Sequence, residues 1–85
     1  MRQIIIDVED PEEVITWLEN EAKKRHIYEG FKAKIIREEN NWLHIAVHLE
    51  NVGDISDRAV ILQEIEDAWG EQKPRPYWQL MLRPS

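Results

Sequence analysis

From Trp42 to Leu49 the chain alternates in character. Leu43, Ile45, Val47 and Leu49 take one parity, and Trp42, His44, Ala46 and His48 take the other. Successive side chains of an extended strand point to opposite sides, so this segment reads as a strand with one aliphatic face and one mixed face. The aliphatic face must be covered. The chain has 85 residues and no cysteine, which rules out a disulfide framework, a thiolate-held metal and a thiol nucleophile. The cover must therefore come from apolar surface of this chain, helped or not by a partner. This length holds one core, so residues 1–85 read as a single domain.

A second strand precedes the first, from Phe31 to Glu38, with Glu39-Asn40-Asn41 between them. A two-residue turn at Asn40-Asn41 would set Lys34 opposite Val47 and turn the lysines toward the core. A three-residue turn sets Phe31, Ala33 and Ile35 opposite Leu49, Val47 and Ile45. It keeps one face apolar, which favours it and makes Asn41 the left-handed residue.

Asp10-Pro11-Glu12-Glu13 has the form of a helix start: a carboxylate cap, a proline at the first position and acids in the first turn. Val14, Leu18 and Ala22, widened by Ile15 and Trp17, give a helical stripe to about residue 26. Glu19–Lys23 and Glu21–Arg25 are pairs at i,i+4, and the helix glutamates read as a solvated face. Lys23-Lys24-Arg25-His26 resembles a nucleic-acid patch in composition, but at a helix C-terminus it complements the dipole. A second helix, near 55–69, is capped by Asp54 or Ser56 and carries Ile61, Leu62, Ile65, Ala68 and Trp69, with Gly70 at its end. Gln3–Val8 and Tyr77–Arg83 alternate as first and last strands. Lys73-Pro74-Arg75-Pro76 is an extended connector.

The order β-α-β-β-α-β resembles the ferredoxin-like α+β sandwich. That arrangement implies a four-stranded antiparallel sheet with two helices on one face and the first and third strands in the centre. It covers the whole chain without a family-specific motif, and such a fold hosts many functions.

Little catalytic chemistry is present. Ser56 and Ser85 are the only serines, Thr16 the only threonine, and Gly30, Gly53 and Gly70 are too scattered for a phosphate loop. His44 and His48 lie about 13 Å apart on a strand, too far to chelate one ion. No catalytic residue, metal or cofactor is assigned, although Asp7 would share the open sheet face. The segments divide by charge. Residues 54–72 carry six acids and one base, whereas 73–85 carry three bases and no acid. The net charge is −6, which argues against nucleic acid as a partner.

The sheet face away from the helices then collects Lys34, Trp42, His44, His48, Tyr77, Met81 and Arg83, together with Ile5, Ile36 and Lys32. Amphipathic residues of this kind populate interfaces. The expectation is a small non-catalytic interaction or regulatory module, self-associating as a homodimer through this face or the Tyr77–Arg83 edge. The alternatives are single-stranded nucleic-acid binding on the same face and a small dimeric enzyme. No apolar run approaches about 18 residues, and Met1-Arg2 runs directly into Ile4-Ile5-Ile6-Asp7 without a signal-peptide pattern. A soluble cytoplasmic protein with no membrane role is expected.

Overall fold

The computed structural model describes residues 10–50, 52–73 and 75–85. Its first element, α1, spans Pro11–Lys24. The Asp10 carboxylate accepts from the Glu12 N–H at 3.0 Å, satisfying one of the donors left open at a helix start. The helix stops two residues earlier than its basic run. His26 takes φ 61°, its N–H donates to Lys23 O, and the Ile27 N–H donates to Ala22 O at 2.9 Å. This closing pattern satisfies the last carbonyls and tucks Ile27 against the core. The basic run is used locally. Lys24 and Arg25 pair with Glu21 at 3.2 and 3.8 Å, and the Lys23 ammonium lies 4.8 Å from the centre of the Tyr28 ring. Glu21 is buried among these partners and not on a solvated face.

Gly30 turns the chain into the sheet at φ 77°. A Cβ at this position would meet the Cβ of Glu50 at 2.5 Å, so both conformation and space require glycine. Strands β1 (Lys32–Glu39) and β2 (Trp42–His48) form an antiparallel hairpin. Ala33 lies opposite Val47 and Ile35 opposite Ile45, the register that keeps the core face apolar. The route to it differs from the expected three-residue turn. The turn is the two-residue Asn40-Asn41, closed by Glu39 opposite Trp42, and the slip is absorbed by a bulge at Ile36. Asn40, not Asn41, is left-handed, at φ 55°. A bulge and a short turn together move the register as one longer turn would.

Helix α2 (Ile55–Gly70) begins with a reciprocal cap. Asp54 accepts from the Asp57 N–H at 3.1 Å, and Asp57 accepts from the Asp54 N–H at 3.3 Å. Strand β3 (Gln79–Pro84) follows.

The sheet order is β1-β2-β3, and β3 runs parallel to β2. This corrects the ferredoxin-like expectation. In that arrangement the sheet is antiparallel throughout and the first strand separates the third from the last. Here Leu43 pairs directly with Leu80 and Ile45 with Leu82, so that place is taken. Among the described residues the fold is α+β, with two helices and a three-stranded mixed sheet. The expected strand Gln3–Val8, with Ile5 and Asp7, lies outside the described residues. The last strand also starts later than expected, at Gln79, leaving Tyr77 before it. A parallel pair needs a crossover connection, and α2 supplies it.

One core joins both helices to one sheet face. Val14, Leu18 and Ala22 of α1 and Leu62, Ile65 and Trp69 of α2 cover Leu43, Ile45, Val47, Leu80 and Leu82. The helices touch through Trp17 and Trp69, whose rings meet edge to face at 4.9 Å. Among the described residues no helix is long and apolar enough to cross a membrane.

Ile45 has no exposed surface, so Ile45→Ala should cost about 2–5 kcal/mol in urea unfolding. The turn gives a contrast between substitutions. Asn40→Gly should be neutral or mildly stabilising, whereas Asn40→Val should lose about 1–2 kcal/mol because a β-branched residue is strained at positive φ. Equal effects would show that residue 40 does not hold this conformation.

Candidate binding face and the cleft at its end

The register arranges the helix-distal face in rows across the sheet. Lys32 sits beside His48. Lys34, Ala46 and Arg83 form the next row, then Arg37, His44 and Met81, then Glu39, Trp42 and Gln79. Apart from Arg37 and Glu39, which follow the bulge and flank the exposed Glu38, each alternates along its strand with a residue directed into the core. Six of the expected residues, Lys34, Trp42, His44, His48, Met81 and Arg83, are thus brought onto one surface. Trp42, His44, Ala46, His48 and Met81 are half-buried, and the flanking cations are exposed. Ile36, at the bulge, is 54% exposed. The bulge brings Arg37 into register with His44, an alignment that alternation alone had not indicated.

The cations are partnered unequally. Arg37 pairs with Glu39 at 2.8 Å, and His48 Nε2 lies 4.0 Å from a Glu50 carboxylate oxygen. Arg83 lays its guanidinium on Met81, with Nη2 3.3 Å from Sδ. Among the described residues no carboxylate pairs with Lys32, Lys34 or Arg83. Ala46 lies in register between Lys34 and Arg83. His44 and His48 flank it along β2, spread over about 13 Å at the usual strand rise. Among the described residues no group of three or more metal-ligating side chains converges.

Tyr77 stands apart from the other six. It lies before β3 and forms part of a cleft of about 360 Å³ between the start of β3 and the end of α2. Trp42 reaches this cleft too, together with Glu66, Asp67, Trp78 and Arg75. The Tyr77 and Trp78 rings stand at 88° with centres 5.1 Å apart. The wall is pinned from several sides. The Trp69 indole N–H donates to Trp78 O at 2.7 Å, the Gln79 N–H donates to Asn41 O at 2.7 Å, and the Asn41 amide donates to Tyr77 O at 3.4 Å. The last turn of α2 has no basic residue, and its C-cap is Glu71. Carboxylates thus crowd the negative end of a helix dipole. Sequence reading missed Glu66, Asp67 and Trp78 as site residues because three separate segments meet only in the folded chain.

Glu66 also acts on β3. The N–H groups of Gln79 and Ser85 point at β2, so those of even-numbered residues point to the outer edge. There the Leu82 N–H donates to Glu66 Oε2 at 2.7 Å, Trp78 O accepts from Trp69, and Pro84 has no N–H to offer. Burial raises the Glu66 pKa, the Leu82 N–H opposes that rise, and the neighbouring charge of Asp67 adds to it.

Comparisons with known protein families, curated proteins and solved structures find no match to this chain.

The raised pKa has a consequence for stability. The folded state favours protonated Glu66, so this contribution is complete below the ordinary glutamate value of 4.5 and is lost as pH rises through the folded value. Glu66→Gln keeps an oxygen for the Leu82 N–H and removes the titration. Urea midpoints of both proteins across the acid-to-neutral range should diverge, the wild type losing ground to the variant as pH rises. Parallel curves would show that the carboxyl is not perturbed.

Proposed function

We propose that the protein is a small non-catalytic interaction module that binds through its helix-distal sheet face and self-associates there. The observation that carries this is the composition of the face. Trp42, Ala46 and Met81 are partly exposed between cations, and no described element covers them. Such a surface combines apolar area that gains by leaving water with charges that select a partner. The alternative docking surface, the outer edge of β3, is less favourable because Glu66, Trp69 and Pro84 already occupy or remove part of its hydrogen-bonding capacity.

Single-stranded nucleic acid is the second reading, favoured by those three cations beside Trp42. Against it stand the net charge of −6 and Ala46 at the centre of the face, which offers no ring for a base to stack on.

Sedimentation over a concentration range tests the first reading. Trp42→Glu and Met81→Glu should each weaken association by about tenfold or more while leaving the fold intact, because each places a charge in a surface that must dehydrate. Glu64→Gln, on the exposed side of α2, should change it little. A wild type that stays monomeric at the highest concentration overturns self-association. Salt-sensitive binding of an oligonucleotide, lost in Lys34→Ala, would establish the second reading instead.

A further inference from the structure

The cleft beside α2 has a chemistry distinct from that of the sheet face. Its aromatic part is made by Trp42, Tyr77 and Trp78, and Tyr77 is 44% exposed. Rings at 88° present faces in two directions, and an aromatic face carries the negative part of the ring's quadrupole. The polar part is chiefly anionic. Glu66 and Asp67 line the cleft, and among the described residues neither is paired with a cation. The Asp67 carboxylate accepts from the Gln63 amide, at 3.1 Å. Gly70, the last residue of α2, lines the same space, so the helix brings its partial negative charge there as well. In contrast to α1, which ends in Lys23 and Lys24, α2 compensates its terminus with no base of its own.

Aromatic faces, two carboxylates and a helix C-terminus all favour the same ligand charge. We infer that this cleft is a binding site for an organic ammonium ion, an alkylated or quaternary head group small enough to sit against Trp42 and Tyr77 with Glu66 and Asp67 as counter-charges. At about 360 Å³ the space matches a small-molecule head group or one long side chain. Alkyl substituents on the nitrogen suit the rings, and their bulk keeps water from the contact. Arg75 is the built-in competitor. It lines the cleft, is exposed, and forms no ion pair among the described residues, so it lowers the affinity for an added cation. This site touches the sheet face only at its last row, through Trp42 and Gln79, and does not depend on a partner binding there.

Choline and its uncharged isostere 3,3-dimethylbutan-1-ol separate charge from shape. Each is titrated into the full chain at constant ionic strength while the tryptophan indole N–H resonances are followed. Choline should give saturable shifts with a Kd of order 1 mM, and the isostere should bind at least about tenfold more weakly. Asp67→Asn, an exposed change that spares the core, should weaken choline binding severalfold, as should Glu66→Gln. Arg75→Ala should strengthen it. The absence of saturable shifts, or an equal response to the isostere, overturns the inference. Weaker choline binding in Arg75→Ala overturns it too, because Arg75 would then support the ligand instead of competing with it. None of these outcomes bears on self-association, which is read by sedimentation in the absence of choline.

Discussion

A single hydrogen bond organises one end of the molecule. The buried indole of Trp69 donates to the backbone carbonyl of Trp78, nine residues further on, where the chain returns from α2 to the sheet. A donor buried at 6% exposure without an acceptor would cost about 1–3 kcal/mol. The bond therefore fixes where the connector can lie. The same ring meets Trp17 edge to face and ties α1 to α2. One residue thus couples both helices to the start of β3, and the cleft walls inherit their position from it. Three residues earlier in α2, about one turn back, Glu66 repeats the device with the Leu82 N–H. Two side chains of one helix hold one edge of one strand.

The charge distribution follows the layers. Acids gather on the helices, where Asp10 and Asp54 cap the N-termini, Glu21 pairs within α1, and others crowd the end of α2. The sheet face keeps Lys32, Lys34 and Arg83 without carboxylate partners among the described residues. A net charge of −6 hides this division. Local potential, not the total, governs what approaches a face within a Debye length.

Much of this was legible in the residues. The Asp10-Pro11 cap and the spacing of Val14, Leu18 and Ala22 mark α1. The strict alternation through β2 marks its faces, and these signals are local. Strand order was not legible, because alternation says which face is buried and not which strand lies alongside. Leu43 and Ile45 would alternate identically beside an antiparallel neighbour or a parallel one. The bulge was hidden for a related reason. Ile35-Ile36 offers two aliphatic residues in succession, so either could take the core parity; the two-residue Asn40-Asn41 turn alone would select Ile36, and the bulge restores Ile35. Two adjacent asparagines likewise leave open which one is left-handed. The face residues were found because they lie on regular strands. The cleft was not, although Trp42 and Tyr77 were both singled out, because Trp42, Glu66 and Tyr77 share no periodicity.

Parallel pairing of β2 with β3 also sets an order of events in time. The β1–β2 hairpin closes over a two-residue turn and can form within microseconds. Strand β3 is separated from its neighbour by about thirty residues and must wait for α2 to fold back across the sheet. Until then the inner edge of β2, the most hydrophobic of the three described strands, waits for this mate. The chain passes through a stage in which its central strand behaves as an edge, and the arrival of β3 ends its exposure to wrong partners.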